Sequence, residues 1–419
     1  MSSDGRAARI ALAAAILFPL FFQLQGTVYN EPLQPLLDSG GVLSRVPLPI
    51  SLPACLLGIF VLGRFRRASV ALVCAVSLAA VMLLTTIAGA KGFDFESRKF
   101  LLLLQYLVPL VGLALGQMFD ASPPDDSLER TFLWLVMCLV PLQLGLTLAR
   151  GEYRSTHDMI FFSIYQHYQF VPVVFVGAYL VALFSLCRTK TKAALFVLGP
   201  VMAVHGGMSF SMLSVGLLIL GLVVFVLMTR TRFSVALLLV ACLAVFATFW
   251  CLRNTNEFRA KSDPGYVSPY PEERQAASPG PKFLPENVKA RLNDWHTYGR
   301  GITESASTAL LGHPEALSRG VSTSAHNYYL DFVYNFGLIA ILPLLALIAF
   351  TVRLLLLQRH AIGIDLKTAG LAFVVLFILL VDSNFKVTLR QSYPGAFTFF
   401  LWGLLLSRLQ TGEAHERAR

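Results

Sequence analysis

The sequence predicts an all-helical protein that crosses a membrane many times. Of its 419 residues, 56% are hydrophobic and 14% are charged, and the mean hydropathy is +0.65. Soluble domains carry about 25% charged residues. The apolar residues also fall in long runs separated by polar connections, which is the pattern of membrane-spanning helices.

Twelve apolar runs are candidate spans, because a helix needs about 20 apolar residues to cross a membrane. They cover residues 9–25, 46–63, 68–89, 99–119, 131–149, 161–187, 193–206, 209–229, 233–252, 329–357, 366–382 and 393–409. Gly206-Gly207-Met208 joins the seventh and eighth runs, which predicts either a tight hairpin or one broken helix. The first run lacks a small-residue cleavage site after Leu24, so we expect it to be a retained helix rather than a signal peptide.

The distribution of Lys and Arg predicts the orientation. With the amino terminus in the cytoplasm, the short loops on that side carry more Lys and Arg than those on the other side, as the positive-inside rule requires. We therefore expect both termini in the cytoplasm and the longest loop on the opposite face. The chain then divides into residues 1–252 with nine spans, the loop 253–328, and residues 329–419 with three spans.

The long loop has two parts. Residues 263–285 are rich in proline, which excludes regular structure. From Glu286 onwards the apolar side chains recur at helical spacing, at Val288, Leu292, Trp295 and Ile302. We expect an amphipathic helix on the outer membrane surface or over the mouth of a cavity, ended by Gly312-His313-Pro314, and a flexible piece that leads to His326.

His326 stands where the loop meets the tenth apolar run. A neutral imidazole is the natural general base for a hydroxyl near pH 7. Asn327 and Asp331 follow four residues apart, so they would share a helix face beside it. The alternative is an interfacial histidine that only makes capping hydrogen bonds.

Several cations lie on the side that the positive-inside rule disfavours: Arg98, Lys99, Arg154, Lys386 and Arg390. Lys386 and Arg390 are four residues apart and follow Asp382. Such cations suit a diphosphate-bearing lipid, although each could instead be an interfacial anchor. Arg291 stands four residues before Trp295, where it could bind an anion or merely stack on the indole ring.

Other kinds of site find no support in the pattern. No metal-binding spacing, Ser-His-Asp triad or glycine-rich phosphate loop is present, and the six cysteines lie in or beside apolar runs. The net charge of +10 comes without a nucleic-acid-binding motif, so it indicates topology and anionic lipid instead. The weaker histidine candidates are His157, His167, His205, His296 and His313, with the polar stretch 165–169 as a possible cavity lining.

Four motifs occur in order: Arg291-Leu292-x-x-Trp295, Gly312-His313-Pro314, Ala325-His326-Asn327-x-x-Leu330 and Asn335-Phe336-Gly337-Leu338-Ile339. This set, in a twelve-span plan with one long late loop, resembles the O-antigen ligase/polymerase family. The family pattern also has a Ser-Arg near the start of a middle span. The corresponding residues 209–214 contain no Arg, so another cation, Arg98, Lys386 or Arg390, would have to replace it.

The resemblance implies a metal-independent, cofactor-free GT-C glycosyltransferase in the bacterial inner membrane, with its site facing the periplasm. Its donor would be a glycan on undecaprenyl diphosphate. His326 would accept the proton of the acceptor hydroxyl, and Arg291 would bind the diphosphate, which leaves as the anomeric carbon inverts. The other donor-site cations would be Arg98, Lys386 and Arg390, and the supporting residues Asn327, Asp382 and Arg154.

The acceptor stays open at this point. The leading expectation is ligation of O-antigen to lipid A–core, and the alternative is a polymerase that acts on lipid-linked repeat units. A protein-glycosylating oligosaccharyltransferase is a third option. A flippase or transporter for lipid-linked glycans would need internal repeats and polar residues through the midplane, and neither is evident in the sequence.

Overall fold

The computed structural model describes residues 3–18, 21–23, 47–62, 70–89, 98–119, 126–149, 170–263, 283–317, 324–359 and 365–417. Within these residues the regular secondary structure is helical except for one antiparallel pair of three-residue strands, β1 (Phe21–Gln23) and β2 (Pro47–Pro49). The predicted helical class is therefore confirmed.

The helices before the long loop are α1 (Ser3–Leu17), α2 (Ser51–Leu62), α3 (Val70–Gly89), α4 (Arg98–Leu107), α5 (Val111–Phe119), α6 (Ser127–Ala149), α7 (Val171–Leu186), α8 (Lys192–Met208), α9 (Met212–Thr229) and α10 (Arg232–Leu252). Those within and after it are α11 (Asn256–Ser262), α12 (Glu286–Ile302), α13 (Ala306–Leu311), α14 (Tyr328–Leu357), α15 (Leu366–Phe377), α16 (Ser383–Phe385) and α17 (Ser392–Arg417).

The described helices identify a membrane-embedded protein. Seven are long and apolar enough to cross a membrane: Val70–Ala88, Leu102–Phe119, Ser127–Ala149, Met212–Thr229, Arg232–Leu252, Tyr328–Leu357 and Leu366–Phe385. Four shorter apolar helices accompany them: Ala7–Leu17, Ser51–Phe60, Val171–Leu186 and Lys192–Met208. The total of twelve spans and the side on which the long loop lies stay predictions.

The core of the bundle is built around α7 and α17. Almost every side chain of α7 is fully buried, and α17 is buried from Tyr393 to Leu406. On its other flank α17 crosses α5 so closely that backbone meets backbone: a Cβ at Gly116 would lie 2.1 Å from the Phe400 carbonyl oxygen. Gly112 and Gly116 form the small-x-x-x-small spacing that lets membrane helices approach this closely.

A buried ion cluster joins three helix ends at one end of the bundle. Glu129 at the start of α6 is fully buried and accepts from Lys367 at 2.9 Å and from Arg408 at 3.2 Å. Lys367 begins α15, whose far end leads into the segment that carries Asp382. The cluster therefore lies at the opposite end of α15 from the candidate site.

The first two predicted spans differ from the structure. Helix α1 ends at Leu17, whereas the span was predicted to continue to residue 25, and residues 21–23 form a strand instead. Phe18 precedes Pro19, and the residue before a proline is disfavoured in helical backbone. The second span begins at Ser51, because residues 47–49 pair with β1.

The long loop is more helical than predicted. Helix α12 ends at Ile302, and a separate helix, α13, fills the stretch before Gly312. On α12, Leu292 of the predicted apolar face is exposed, and Tyr298 is buried against Tyr334 of α14. Packing on α14 thus buries a residue outside the predicted face, while the placement of that face on a membrane surface stays a prediction.

The turn between α8 and α9 decides between the tight hairpin and the broken helix that Gly206-Gly207-Met208 left open. Helix α8 ends at Met208 and α9 begins at Met212, so two helices are joined by a three-residue turn. Phe210 in the turn has φ of 48°, a left-handed conformation that non-glycine residues rarely adopt. This turn lies against the candidate site.

Candidate functional site

His326 ends the long loop in a strained backbone conformation. Its φ is 48°, and its N–H donates to the Ser324 hydroxyl at 3.2 Å. The next residue, Asn327, caps α14 by accepting the Leu330 N–H at 3.1 Å. The predicted supporting role of Asn327 is thus structural, since it fixes where the helix begins. Strained residues of this kind concentrate at functional sites.

Asp331 lies one turn into α14 and is the hub of a buried network. Its Oδ2 accepts from the Tyr106 hydroxyl of α4 and from the Arg390 guanidinium, both at 2.5 Å. Its Oδ1 lies 3.5 Å from the N–H of Ala325, the residue before His326. Asp331 therefore ties the His326 segment to Arg390, a contact that the predicted shared face with Asn327 did not foresee.

Asp382 and Lys386 form a second pair in the segment after α15. The helix widens into a π turn at Ile378–Asp382, which leaves Asp382 fully buried. Lys386 Nζ lies 3.9 Å from Asp382, and the Thr388 hydroxyl donates to the same carboxylate. The prediction that Lys386 and Arg390 together flank Asp382 is therefore half right, because Arg390 pairs with Asp331 instead.

Arg291 projects from α12 toward these groups. Asp382 and Asp294 attract the guanidinium, while burial lowers its pKa from the ordinary value. An arginine stays charged at any physiological pH. Within the described chain, Asp331 is paired with Arg390 and Asp382 with Lys386, so Arg291 adds positive charge that no further carboxylate cancels in a salt bridge. We call His326, Arg291, Asp331, Asp382, Lys386 and Arg390 the charged cluster.

The charged cluster keeps His326 neutral. Burial, together with the charges of Arg291 and Arg390, lowers the pKa of the imidazole to about 4, and the charge of Asp331 opposes the shift. At pH 7 the ring is therefore unprotonated and able to accept a proton. Within the described chain His326 makes its hydrogen bond through the backbone N–H, which leaves the imidazole ring available to a ligand.

Lys386 also contacts the turn between α8 and α9. Its Nζ donates to the Ser211 hydroxyl at 3.2 Å and lies 5.8 Å from the centre of the Phe170 ring. Burial lowers the pKa of Lys386 to about 8, with Asp382 opposing and Arg291 adding to the shift. The same turn accepts a second lysine, because Lys261 of α11 donates to the Phe210 carbonyl at 3.1 Å.

The motifs around Gly312 and Gly337 pack directly on one another. Gly337 interrupts α14 with φ of 81°, and a Cβ there would lie 2.1 Å from the Leu310 carbonyl oxygen. Gly312 has φ of 85°, and a Cβ there would lie 2.5 Å from the Asn335 carbonyl oxygen. Both positions require glycine, because only glycine accepts this conformation without steric cost.

The histidine of the Gly312 turn has a structural place. Its ring stacks on Tyr334 with centroids 5.0 Å apart, and its N–H donates to the Tyr334 carbonyl at 2.7 Å. Lys99 of α4 donates to the His313 carbonyl at 2.8 Å. His313 and Lys99 therefore join α4, α13 and α14 rather than face the charged cluster.

The structure accounts for the other predicted residues as follows. Arg98 begins α4, but its side chain lies outside the described residues, as do Arg154, His157, His167 and the polar stretch 165–169. His296 is exposed on α12. His205 is buried inside the bundle, where its Nε2 lies 3.0 Å from Gln143 Oε1.

Sequence reasoning missed three contributors to the site. Tyr106, Thr388 and Ser211 hold Asp331, Asp382 and Lys386, respectively. Tyr106 is far from Asp331 in sequence and lies in an apolar run, so no local pattern marks it. Ser211 lies in the stretch 209–214 that was compared with the family's Ser-Arg, but Lys386 is 175 residues away and could not be assigned to it from the sequence. Thr388 lies six residues after Asp382, in a polar segment that follows the predicted span 366–382. That polar segment was the local pattern from which Thr388 could have been identified.

Among the described residues, no group of three or more His, Cys, Asp or Glu side chains is arranged to hold a metal ion. Comparison of the chain with family models, with curated proteins and with solved structures finds no match. The resemblance to the O-antigen ligase/polymerase family accordingly stays a prediction carried by the motifs.

Proposed function

We propose that this protein is a membrane glycosyltransferase that moves a glycan from undecaprenyl diphosphate to an acceptor hydroxyl. The preferred acceptor is lipid A–core, which makes the reaction O-antigen ligation in lipopolysaccharide biosynthesis. The proposal places the protein in the bacterial inner membrane with the charged cluster open to the periplasm. It rests on the motif resemblance and on the geometry around His326.

One observation carries the proposal: a neutral imidazole with no side-chain hydrogen bond in the described chain lies within the field of Arg291 and Arg390. A base and an anion site are the two elements that transfer from a lipid diphosphate requires. The acceptor needs a group that takes its proton, and the leaving diphosphate needs positive charge.

The reaction follows from these roles. His326 takes the proton of the acceptor hydroxyl while the oxygen attacks the anomeric carbon from the face opposite the diphosphate. The carbon–oxygen bond to the diphosphate breaks, and its electron pair leaves with the lipid diphosphate, so the configuration inverts. The negative charge that develops on the leaving group is stabilised by Arg291 and Lys386.

Lys386 is the cation that would replace the arginine missing from the family pattern. Of the three candidates Arg98, Lys386 and Arg390, it is Lys386 whose amine bonds Ser211, inside the stretch where the family has its Ser-Arg. Arg390 donates to Asp331, and its charge lowers the pKa of His326. Lys386 therefore fits the donor side of the site, and Arg390 fits the side of the base.

The proposal is tested by profiling the glycans of membranes from a deletion strain. The strain is complemented with wild type, His326→Ala or, as a matched control, His296→Ala, which removes an exposed histidine from α12. We expect wild type and His296→Ala to restore transfer and His326→Ala to fail at equal membrane abundance. Full restoration of glycan transfer by His326→Ala would show that His326 is not the general base.

The same profile separates the acceptors. A ligase leaves a bare core and accumulates lipid-linked polymer when it is deleted. A polymerase leaves a core that carries a single repeat unit and no ladder. If the protein were a flippase or transporter of lipid-linked glycans, His326→Ala would give the same glycan profile as wild type, because transport needs no general base.

A further inference from the structure

Two buried N–H groups beside the charged cluster have no acceptor within the described chain. They are Trp295 Nε1 on α12 and Arg390 Nε after α16. A buried donor without an acceptor is destabilising and is rare in folded proteins. Arg390 belongs to the charged cluster, and Trp295 lies on α12 with Arg291, so the two groups indicate a ligand that is rich in hydrogen-bond acceptors.

Trp295 also belongs to an aromatic pair. Its ring centroid lies 6.3 Å from that of Phe385 at an angle of 39°, and 42% of the Phe385 surface is exposed. Each ring is close in sequence to a cation: Trp295 follows Arg291 by one helical turn, and Phe385 precedes Lys386. The aromatic pair and the two proposed diphosphate-binding cations are thus carried on the same two elements.

This pairing fits a sugar better than a lipid chain. An isoprenoid tail packs on aromatic rings but offers no acceptor to an indole N–H. A sugar offers both, since its C–H face carries slight positive charge that suits the negative face of an aromatic ring, and its oxygens accept hydrogen bonds. Part of the half-buried indole is open to a ligand, and its N–H is the group left without an acceptor.

We propose that Trp295 and Phe385 bind the first sugar of the lipid diphosphate donor, the indole N–H donating to a sugar oxygen. The donor sugar is favoured over an acceptor sugar because Trp295 stands one helical turn after Arg291 and Phe385 stands next to Lys386, and these are the two cations assigned to the diphosphate. This inference rests on the proposed function, and it makes the pair a determinant of donor specificity.

The test compares two probes that differ only in the sugar. Farnesyl diphosphate and farnesyl-diphosphoryl-N-acetylglucosamine are titrated into the full-length protein in lipid nanodiscs. Trp295→Phe keeps an aromatic ring and removes the N–H. We expect it to weaken the sugar-bearing probe by about three- to tenfold, the size of one neutral hydrogen bond, and to leave farnesyl diphosphate unchanged.

Two further variants complete the design. Phe385→Leu keeps apolar volume and removes the aromatic face, so it too should weaken only the sugar-bearing probe. Trp250→Phe is the matched control, because Trp250 is 57% exposed on α10 and should change neither affinity. Equal weakening of both probes by Trp295→Phe, or no weakening of either, overturns the sugar contact.

The outcome is distinguishable from failure of the proposed function. If wild type binds neither probe, or His326→Ala transfers glycan normally, the glycosyltransferase proposal itself falls. If wild type binds both probes and His326→Ala is inactive while Trp295→Phe and Phe385→Leu match wild type, only the sugar site is lost. Arg291→Ala should weaken both probes, because its role is toward the diphosphate that they share.

Discussion

Replacing Lys386 with arginine should move the alkaline limit of activity. Burial lowers the pKa of this lysine from 10.5 to about 8. At that value about 90% of the amine is charged at pH 7, and about 10% at pH 9. If the charge binds the donor diphosphate, kcat/KM of wild type should fall about tenfold between its plateau and pH 9. Lys386→Arg stays charged throughout and should show no such fall.

Unfolding through Lys386 would not explain the fall of kcat/KM at alkaline pH. Because the folded protein releases the Lys386 proton at a lower pH than the unfolded chain does, this residue makes folding more favourable as the pH rises from about 8 to 10.5. On the acid side, His326 has a pKa of about 4, so the base stays neutral and active down to that region. The wild-type profile should therefore be a bell with limbs near pH 4 and 8.

Lys99 provides the matched control. Burial also lowers its pKa to about 8, but its amine bonds the His313 carbonyl, and a neutral amine still donates that hydrogen bond. Lys99→Arg should keep the wild-type limb near pH 8. The assay is the initial rate of transfer in proteoliposomes from pH 5 to 10 at limiting donor. An alkaline limb that stays near pH 8 in Lys386→Arg would refute the role given to Lys386.

Other predictions concern the packing of the site. Asp331→Asn leaves Arg390 buried and unpaired, so it should lower the free energy of unfolding by about 3–5 kcal/mol and abolish transfer. Glu129→Gln breaks a buried ion cluster at the far end of α15, so thermal shift should show a comparable loss while the folded fraction keeps its activity. Gly337→Ala places a Cβ 2.1 Å from backbone and should destabilise the protein by about 1–3 kcal/mol, whereas Gly299→Ala, with open space around it, should not. A melting temperature of Gly337→Ala equal to that of wild type would contradict the steric argument. A loss of activity in Glu129→Gln as complete as that in Asp331→Asn would contradict the separation of the ion cluster from the site.

The helical membrane class was predictable because hydropathy is a local property. Most predicted spans match a helix to within a few residues, as α10 and α14 do. Errors arose where the backbone departs from regular helix. Helix α1 ends before Pro19, earlier than predicted. Residues 47–49 pair with β1, a strand that residue propensities did not predict.

The candidate site was predictable only in part. His326 and Arg291 stand in short motifs, and the Asp382–Lys386 pair is local, so spacing revealed them. The Asp331–Arg390 pair joins residues 59 apart, and Tyr106 is 225 residues from Asp331. Contacts of this kind depend on how the helices pack, which no sequence window contains.

The pKa values of the site likewise depend on how the helices pack, so they could not be predicted from the sequence. His326 would titrate near 6.5 in water, and only burial with two neighbouring arginines lowers its pKa to about 4. The sequence predicted a neutral base, but it gave no reason why that base stays neutral beside so many cations. The structure supplies the reason, because low exposure and like charges act in the same direction.

The most direct test of the account is transfer by the purified protein in proteoliposomes that contain a lipid diphosphate-linked glycan and an acceptor. A general base contributes about 10²–10⁴-fold. We therefore predict that His326→Ala lowers kcat by at least about 100-fold while the protein still binds farnesyl diphosphate, and that His296→Ala matches wild type. A His326→Ala protein that transfers glycan within about twofold of the wild-type rate would contradict the central claim.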